Sequence, residues 1–471
     1  MENNINPVIA ALQSPAKANT LQWPEIFSFS AHQRDDLAKQ ISELKREWLS
    51  QPDADARNRL AETSRQTFYP TDPCRLLFVL PFDQDLAEVC DAAVGKLAER
   101  TESTWVDKNI CYGQNSPPGK IAFVFPGQGS QYPGMGKDLA RTFPETREAL
   151  ILADHRFERL PRLSEFIYPD PGGLKTGDPG SSETPEEHLR STDVAQPAIG
   201  AVSQGMLHIL EKFNIRPDAC CGHSFGELTA LLAAGRIDGE TFMTLAVARG
   251  KYMARAGDGK DRGAMLAVGA PIGDIEALIA SVSFNVILAN RNSPEQGILS
   301  GPTEAIMQMK AICKGRKIRA TILPVAAAFH SHLVKDAAEP FQEILKSAVF
   351  NQTNIPVYAN TTALPYPTDP NPARRLLGAQ LLHPVNFLDQ IQNMYADGVR
   401  IFIEIGPKNV LTGLITTILK QRQDALAIAV DASAGKRSGL MDLAAAFCRL
   451  ASMGYSVDLL QWRPTPAATV F

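Results

Sequence analysis

The sequence predicts an α/β protein whose main subdomain is built on a parallel sheet, with a ferredoxin-like βαββαβ subdomain inserted and a smaller α/β unit in front. Three stretches carry this prediction. KIAFVF (120–125) is a buried-strand run that ends directly in a Gly-rich loop, FPGQGSQYPGMG. DACCGHSFGELTALLAAG (218–235) reads as strand, tight turn and helix. Between residues 263 and 323 the texture changes to strand, helix, strand, strand, helix, strand, which is the split βαβ order.

Taken in order, residues 1–25 are polar, contain Pro7, Pro15 and Pro24, and predict a loosely held lead-in. Residues 26–115 form the small α/β unit: strand IFSFS, helices over DDLAKQISELKREWL and ARNRLAET, strand RLLFVLPF and helix DLAEVCDAAVGKLAER. CYGQNSPPG (111–119) reads as a Pro/Gly linker. The large subdomain occupies 120–260 and 326–430, and the inserted one 261–325. Tyr168–Glu187 is Gly/Pro-rich and polar, predicting a long surface loop, and AVSQGMLHILEKF (201–213) a helix. IPVYAN, VRIFIEIG and ALAIAVD supply later strands, and 431–471 a C-terminal linker with the helix LMDLAAAFCRLASMG. There is no internal repeat and no heptad pattern.

Composition narrows the function classes. With 471 residues, 44% hydrophobic and 21% charged, the chain has material for two to four domains at roughly 100–200 residues each. A net charge of −4 argues against nucleic acid and anionic membranes as partners. No run approaches a bilayer-spanning length, and MENNINPVIAALQSPAK lacks the layout of a secretory signal. Seven cysteines without CxxC spacing predict neither a disulfide framework nor a zinc site, and place the chain in a reducing cytoplasm.

Gly222-His223-Ser224-Phe225-Gly226 fits G-x-S-x-G in its proper strand–turn–helix setting, which makes the large subdomain α/β-hydrolase-like. Small residues flank Ser224 because the turn must hold it in a strained conformation, with the next amide, that of Phe225, aimed at a developing oxyanion. The hydroxyl needs a base. His330, in AAAFHSHLV, is the candidate, and His332 remains open on composition alone; His223, on the turn itself, is expected to point away and pack. The loop Phe125-Pro126-Gly127-Gln128-Gly129-Ser130-Gln131 lacks the Lys-Ser/Thr ending of a P-loop, leaving a second oxyanion donor from the Gln128 backbone or an ordinary turn. Arg249 interrupts the apolar run Leu245-Ala246-Val247-Ala248, which favours a buried guanidinium seeking a carboxylate.

FVFPGQGSQYPGMG, AQPAI, GHSFGELTALLAAG, VARGKYM, NSPEQ, FHSHL, QLLHPVNF and EIGPKNVLTGL follow one another in this order. Together they closely resemble the malonyl-CoA:acyl carrier protein acyltransferase family. Within it the chain looks like the acyltransferase domain, with its ketosynthase-to-acyltransferase linker, of a type I iterative polyketide synthase of the enediyne or polyunsaturated-fatty-acid kind. The linkers at both ends and the missing ketosynthase favour a piece of a longer chain.

The resemblance implies that Ser224 carries the acyl group, His330 is its base, and the amides of Gln128 and Phe225 form the oxyanion hole. It makes Arg249 the clamp for a dicarboxylate, Gln380 the residue whose main-chain carbonyl orients the histidine, and Gln196 and Asn292 pocket-lining residues. It implies no metal and no cofactor, with malonyl-CoA as donor, a carrier-protein phosphopantetheine as acceptor and a neighbouring ketosynthase as partner. Ala327-Ala328-Phe329-His330 stands where relatives carry HAFH for malonyl or YASH for methylmalonyl. Phe329, with the bulky Phe225, therefore predicts malonyl. Two rivals are an α/β-hydrolase-type esterase or thioesterase, which would normally want an acidic triad member, and an idle docking module.

Overall fold

In the computed structural model the described residues are 6–13, 23–170, 184–256, 261–325 and 327–462. The strands among them are β1 (Glu25–Ala31), β2 (Cys74–Leu80), β3 (Thr104–Asp107), β4 (Ile110–Gln114), β5 (Lys120–Phe125), β6 (Ala219–Gly222), β7 (Ala264–Gly269), β8 (Ile287–Ser293), β9 (Gln296–Gly301), β10 (Arg319–Ile322), β11 (Val357–Tyr358), β12 (Val399–Glu404) and β13 (Leu426–Ala429). The chain divides into two compact units, one of residues 1–13, 119–207 and 217–435, the other of residues 14–118, 208–216 and 436–471.

The second of these is an antiparallel sheet in the order β1-β2-β4-β3. Every residue of β1 and β2 is buried, as a sheet covered on both faces requires. Phe27, Leu76 and Phe78 share an apolar cluster with Leu37 and Ile41 of helix Arg34–Ser50 and with Val89 and Ala93 of helix Leu86–Glu99. The C-terminal helix Gly439–Ser452, expected in a separate linker, belongs to this unit, where Arg75 Nε donates to the Ser452 carbonyl at 2.9 Å.

The linker expected over 111–119 differs too. Its first residues are strand β4, paired with both β2 and β3, and Tyr112 stacks on Trp105 at 5.4 Å. Gly113 is a close-approach glycine, since a Cβ there would lie 2.1 Å from the Ser452 oxygen. In the lead-in, residues Pro7–Gln13 form a helix of the larger unit, with Ile9 and Leu12 buried and Asn6 Nδ2 donating to Asp154 and Ser164. Of the surface loop expected over Tyr168–Glu187, residues 171–183 lie outside the described residues. It ends at a capping box, Thr184 with Glu187, that starts helix Pro185–Arg190.

The larger unit holds a five-stranded sheet, β11-β6-β5-β12-β13, parallel throughout. Because β5 and β6 are parallel neighbours, the Gly-rich loop after one and the G-x-S-x-G turn after the other leave the same edge, where open parallel sheets bind ligands. Contact there is backbone to backbone. A Cβ on Gly226 would lie 1.9 Å from the Phe125 carbonyl oxygen, so no other residue fits.

A second sheet of this unit is antiparallel, in the order β10-β7-β9-β8. Alternation along β7 divides its side chains. Leu266 and Val268 join Ile275 and Leu278 of helix Ile272–Ala280 and Ile306 and Met309 of helix Thr303–Gly315 in one core, whereas Met265 and Ala267 line a cavity. The segment begins and ends side by side, with Ala328 N–H donating to the Arg262 carbonyl at 2.9 Å. It meets the chain before helix Phe387–Ala396 through Arg291 N–H to Val385 O at 2.9 Å and Val385 N–H to Ala289 O at 2.8 Å.

Candidate active site

Ser224 sits at the end of β6 with φ of 52°, a left-handed conformation that a non-glycine residue holds only under constraint. The constraint is visible on both sides of its peptide unit. Asn360 Oδ1 accepts the Ser224 N–H at 2.7 Å, and Gln380 Nε2 donates to the Ser224 carbonyl at 2.6 Å. The turn leaves Ser224 Oγ 2.8 Å from His330 Nε2.

His330 is itself left-handed, φ 56°, and 2% exposed. Its Nδ1 lies 3.1 Å from the carbonyl oxygens of both Gln380 and His383. Two acceptors at Nδ1 assign the proton there and leave the Nε2 lone pair facing the serine. Burial, reinforced by the nearby Arg249 charge, lowers the imidazole to about 3, so it is neutral and able to accept a proton. No carboxylate among the described residues hydrogen-bonds to His330. His332, the open alternative, is exposed on the following turn.

Arg249, on helix Gly239–Arg255, is 1% exposed. It forms no ion pair with any carboxylate of the described residues. Instead Nη1 donates to Gln196 Oε1 at 2.8 Å and Nη2 to Gln380 Oε1 at 3.0 Å, with Ser224 Oγ 3.5 Å from Nη2. Burial depresses its guanidinium to about 10. A buried cation held by two amide oxygens and the nucleophile's own hydroxyl, with no carboxylate hydrogen-bonded to it, is arranged to receive an anion.

Ser224, His330, Gln128, Gln196, Asn292 and Phe329 all line one cavity of about 290 Å³, together with apolar Met253, Met265, Ile298 and Leu411. Among the described residues no hydrogen bond engages the main-chain N–H of Gln128 or of Phe225. Gln380 and Arg249 stand behind the cavity wall. The Phe225 ring does not line the cavity either. It is fully buried against Phe242 and Gly200, below the Arg249 guanidinium, whereas Phe329 is on the cavity wall.

His223 departs from expectation in the other direction. Rather than only packing, it lines the cavity, with Nε2 2.7 Å from Asn292 Oδ1 and its ring edge-on to Phe387. The left-handed Ser224 turns the preceding side chain toward the inserted sheet. Sequence reasoning also passed over Asn360 and Glu227, which hold the turn from beneath. The signal for Glu227 was present as a lone charge in the apolar helix GELTALLA.

Comparison with known proteins decides the family. The acyl transferase domain family matches residues 122–446. The chain belongs to that family. This acyltransferase is 36% identical over 308 residues to the malonyl CoA-acyl carrier protein transacylase of Bacillus subtilis (strain 168), covering 64% of this chain and 90% of that protein. It is 31% identical over 338 residues to one chain of the polyunsaturated fatty acid synthase of Thraustochytrium sp. (strain ATCC 26185 / S-3), covering 68% of this chain but spanning only 11% of that protein. The acyl carrier protein S-malonyltransferase of Vibrio cholerae O1 biovar eltor str. N16961 superposes with a TM-score of 0.58 at 32% identity, covering 67% of this chain and 98% of the other. An acyltransferase domain of the iterative polyketide synthase in enediyne biosynthesis shares the fold, with a TM-score of 0.68 at 23% identity over 92% of this chain and 97% of that one. Among the described residues no helix is long and apolar enough to cross a membrane.

Proposed function

We propose that this acyltransferase moves a malonyl group from malonyl-CoA to the phosphopantetheine thiol of an acyl carrier protein, loading extender units for polyketide synthesis in the cytoplasm beside a ketosynthase partner. The observation that carries the proposal is the buried Arg249 guanidinium, with no carboxylate ion pair among the described residues, 3.5 Å from the nucleophilic oxygen. A hydrolase acting on uncharged esters has no use for it.

In the first half-reaction Ser224 Oγ attacks the thioester carbonyl as His330 Nε2 takes its proton. The Gln128 and Phe225 amides receive the oxyanion. Collapse expels the CoA thiolate, which takes the proton back from His330. In the second half-reaction the carrier thiol gives its proton to His330, attacks the seryl ester, and the Ser224 oxygen leaves with that proton. Throughout, the malonyl carboxylate pairs with Arg249 on the side of Ser224 Oγ, while Gln380 Oε1 keeps its hold on Nη2. Gln380 supplies the carbonyl that keeps the His330 proton on Nδ1. The βαββαβ insert, ferredoxin-like in strand order, provides the wall carrying Asn292, and the α/β-hydrolase-like subdomain provides the elbow. Phe329, on the cavity wall just before His330, occupies the space a methyl branch would need, which favours malonyl over methylmalonyl.

Intact-mass analysis after incubation with malonyl-CoA tests this. The expected result is a single malonyl adduct that transfers to carrier protein and is absent from Ser224→Ala. Release of free malonate as fast as transfer would make the chain a thioesterase, and no adduct on wild-type protein would refute both.

A further inference from the structure

The only charged residue in the helix that follows the nucleophile is Glu227, in its first turn and wholly buried. A first-turn carboxylate suits the helix dipole, but burying one is unfavourable unless its oxygens are met. Both are. The Tyr366 hydroxyl donates to Oε1, while Oε2 accepts the Asn360 N–H at 3.1 Å and Gln380 Nε2 at 3.0 Å.

Asn360 and Gln380 are also the residues that grip Ser224. Asn360 takes its N–H and Gln380 its carbonyl, and Gln380 Oε1 in turn holds Arg249 Nη2. The Glu227 carboxylate makes no hydrogen bond to Ser224, His330 or Arg249, only the main-chain N–H of Glu227 reaching Ser224, at its carbonyl, at 3.2 Å, so the side chain's hydrogen bonds act on the reaction through its neighbours. One consequence is directional. A carboxylate and a carbonyl, both acceptors, face Gln380 Nε2, which fixes the amide with its oxygen toward Arg249. Turned over, the amide would set N–H against the guanidinium, donor against donor.

We infer that Glu227 is a positioning residue for malonyl transfer: by fixing the side-chain amide of Gln380 it holds the Arg249 guanidinium where the malonyl carboxylate must bind. The inference rests on the malonyl-transfer function proposed above. The Glu227 charge also opposes the depression of the buried Arg249, and its own carboxyl is pushed up to about 7 by burial.

The test compares acylation of Ser224 by malonyl-CoA and by acetyl-CoA, which has no carboxylate for Arg249, in Glu227→Ala, Glu227→Gln and Tyr366→Phe, with thermal unfolding as the check on folding. Glutamine can place its oxygen toward Asn360 and Gln380 and its amide N–H toward the Tyr366 oxygen, keeping the grip without the charge. Glu227→Ala is expected to lose about tenfold or more of the malonyl-over-acetyl preference, the factor of a contact to a charged group. Glu227→Gln should stay within about threefold of wild type. Tyr366→Phe, which loosens only one oxygen, should shift the preference in the same direction by a smaller factor, and carries the test if Glu227→Ala does not fold. A folded Glu227→Ala with the wild-type preference would make the residue merely structural and overturn the inference. So would a Glu227→Gln that loses the preference as fully as alanine, since charge rather than grip would then matter. A wild-type protein that takes no malonyl would instead refute the function itself, whatever the variants do.

Discussion

Moving the acylation assay from about pH 7 to about pH 5 probes the most perturbed group in the site. An ordinary histidine, titrating at about 6.5, would be only about 3% neutral at about pH 5, and a reaction depending on it as base would slow about 25-fold from about pH 7. His330 is lowered to about 3, first by burial and then by Arg249, and stays almost wholly neutral there. The predicted kcat/KM for acyl-enzyme formation is therefore nearly flat over this interval.

The fold must survive the same change. A histidine neutral in the native state and protonated when unfolded weakens stability as pH falls below about 6.5, by ~2 kcal/mol at about pH 5. Glu227 and Glu404, each pushed up to about 7 by burial, run the opposite way. They hold protons that the unfolded chain releases between about 4.5 and 7, so each adds about 2 kcal/mol as pH falls to about 5. Together these groups leave stability undiminished. Glu227 titrates inside the assay window, so the profile is read in Glu227→Gln as well as in wild type, by stopped reaction and intact mass, with near-ultraviolet circular dichroism confirming the fold. In Arg249→Ala the inflection should rise but remain below 6.5, because burial persists. A wild-type inflection near 6.5 in both backgrounds would refute the argument.

Other outcomes follow from the same geometry. Arg249→Ala should cut malonyl kcat/KM about 10- to 150-fold, the worth of ~1.5–3 kcal/mol for hydrogen bonds to a charged group, while acetyl loading falls less; equal losses would place the clamp elsewhere. Phe329→Ser should narrow the malonyl-to-methylmalonyl ratio in a competition at equal CoA-ester concentration, within the roughly 10–200-fold that one methyl commands; wild-type protein loading mostly methylmalonyl would overturn the steric argument. Gly226→Ala should destabilise the protein in urea by about 3 kcal/mol or more, because its Cβ would meet the Phe125 carbonyl at 1.9 Å and neither backbone can yield; an unchanged midpoint would contradict that contact.

What the sequence revealed of this fold depended on pattern length. β5, β12 and the strands and helices of residues 263–323 announce themselves by apolar runs or clean periodicity. β3 and β4, of four and five residues beside a Pro/Gly stretch, are too short to show a period, and the helix Pro7–Gln13 is held by Ile9, Leu12 and Asn6 rather than by propensity. The site divides in the same way. Ser224 is written in five consecutive residues, and Arg249 stands out within an apolar run. Asn360, Tyr366 and Gln380 lie more than a hundred residues from Ser224 and come to it only because β11 pairs with β6, Val357 beside Cys220 and Tyr358 beside Cys221. No local spacing encodes that neighbourhood.

The hydrogen bond between Arg262 and Ala328 makes the intervening residues a detachable cassette. A segment that leaves and rejoins the chain at one point can be exchanged without altering the order of any strand in the parallel sheet. The nucleophile, its base and the guanidinium all stay outside it, while Asn290, Asn292 and Ile298 of the facing wall travel with it. One wall of the cavity and the bond-making residues are thus carried on separately replaceable lengths of polypeptide. Transplanting residues 263–325 between relatives would accordingly reshape that wall alone, leaving Ser224, His330, Arg249 and Phe329 where they stand.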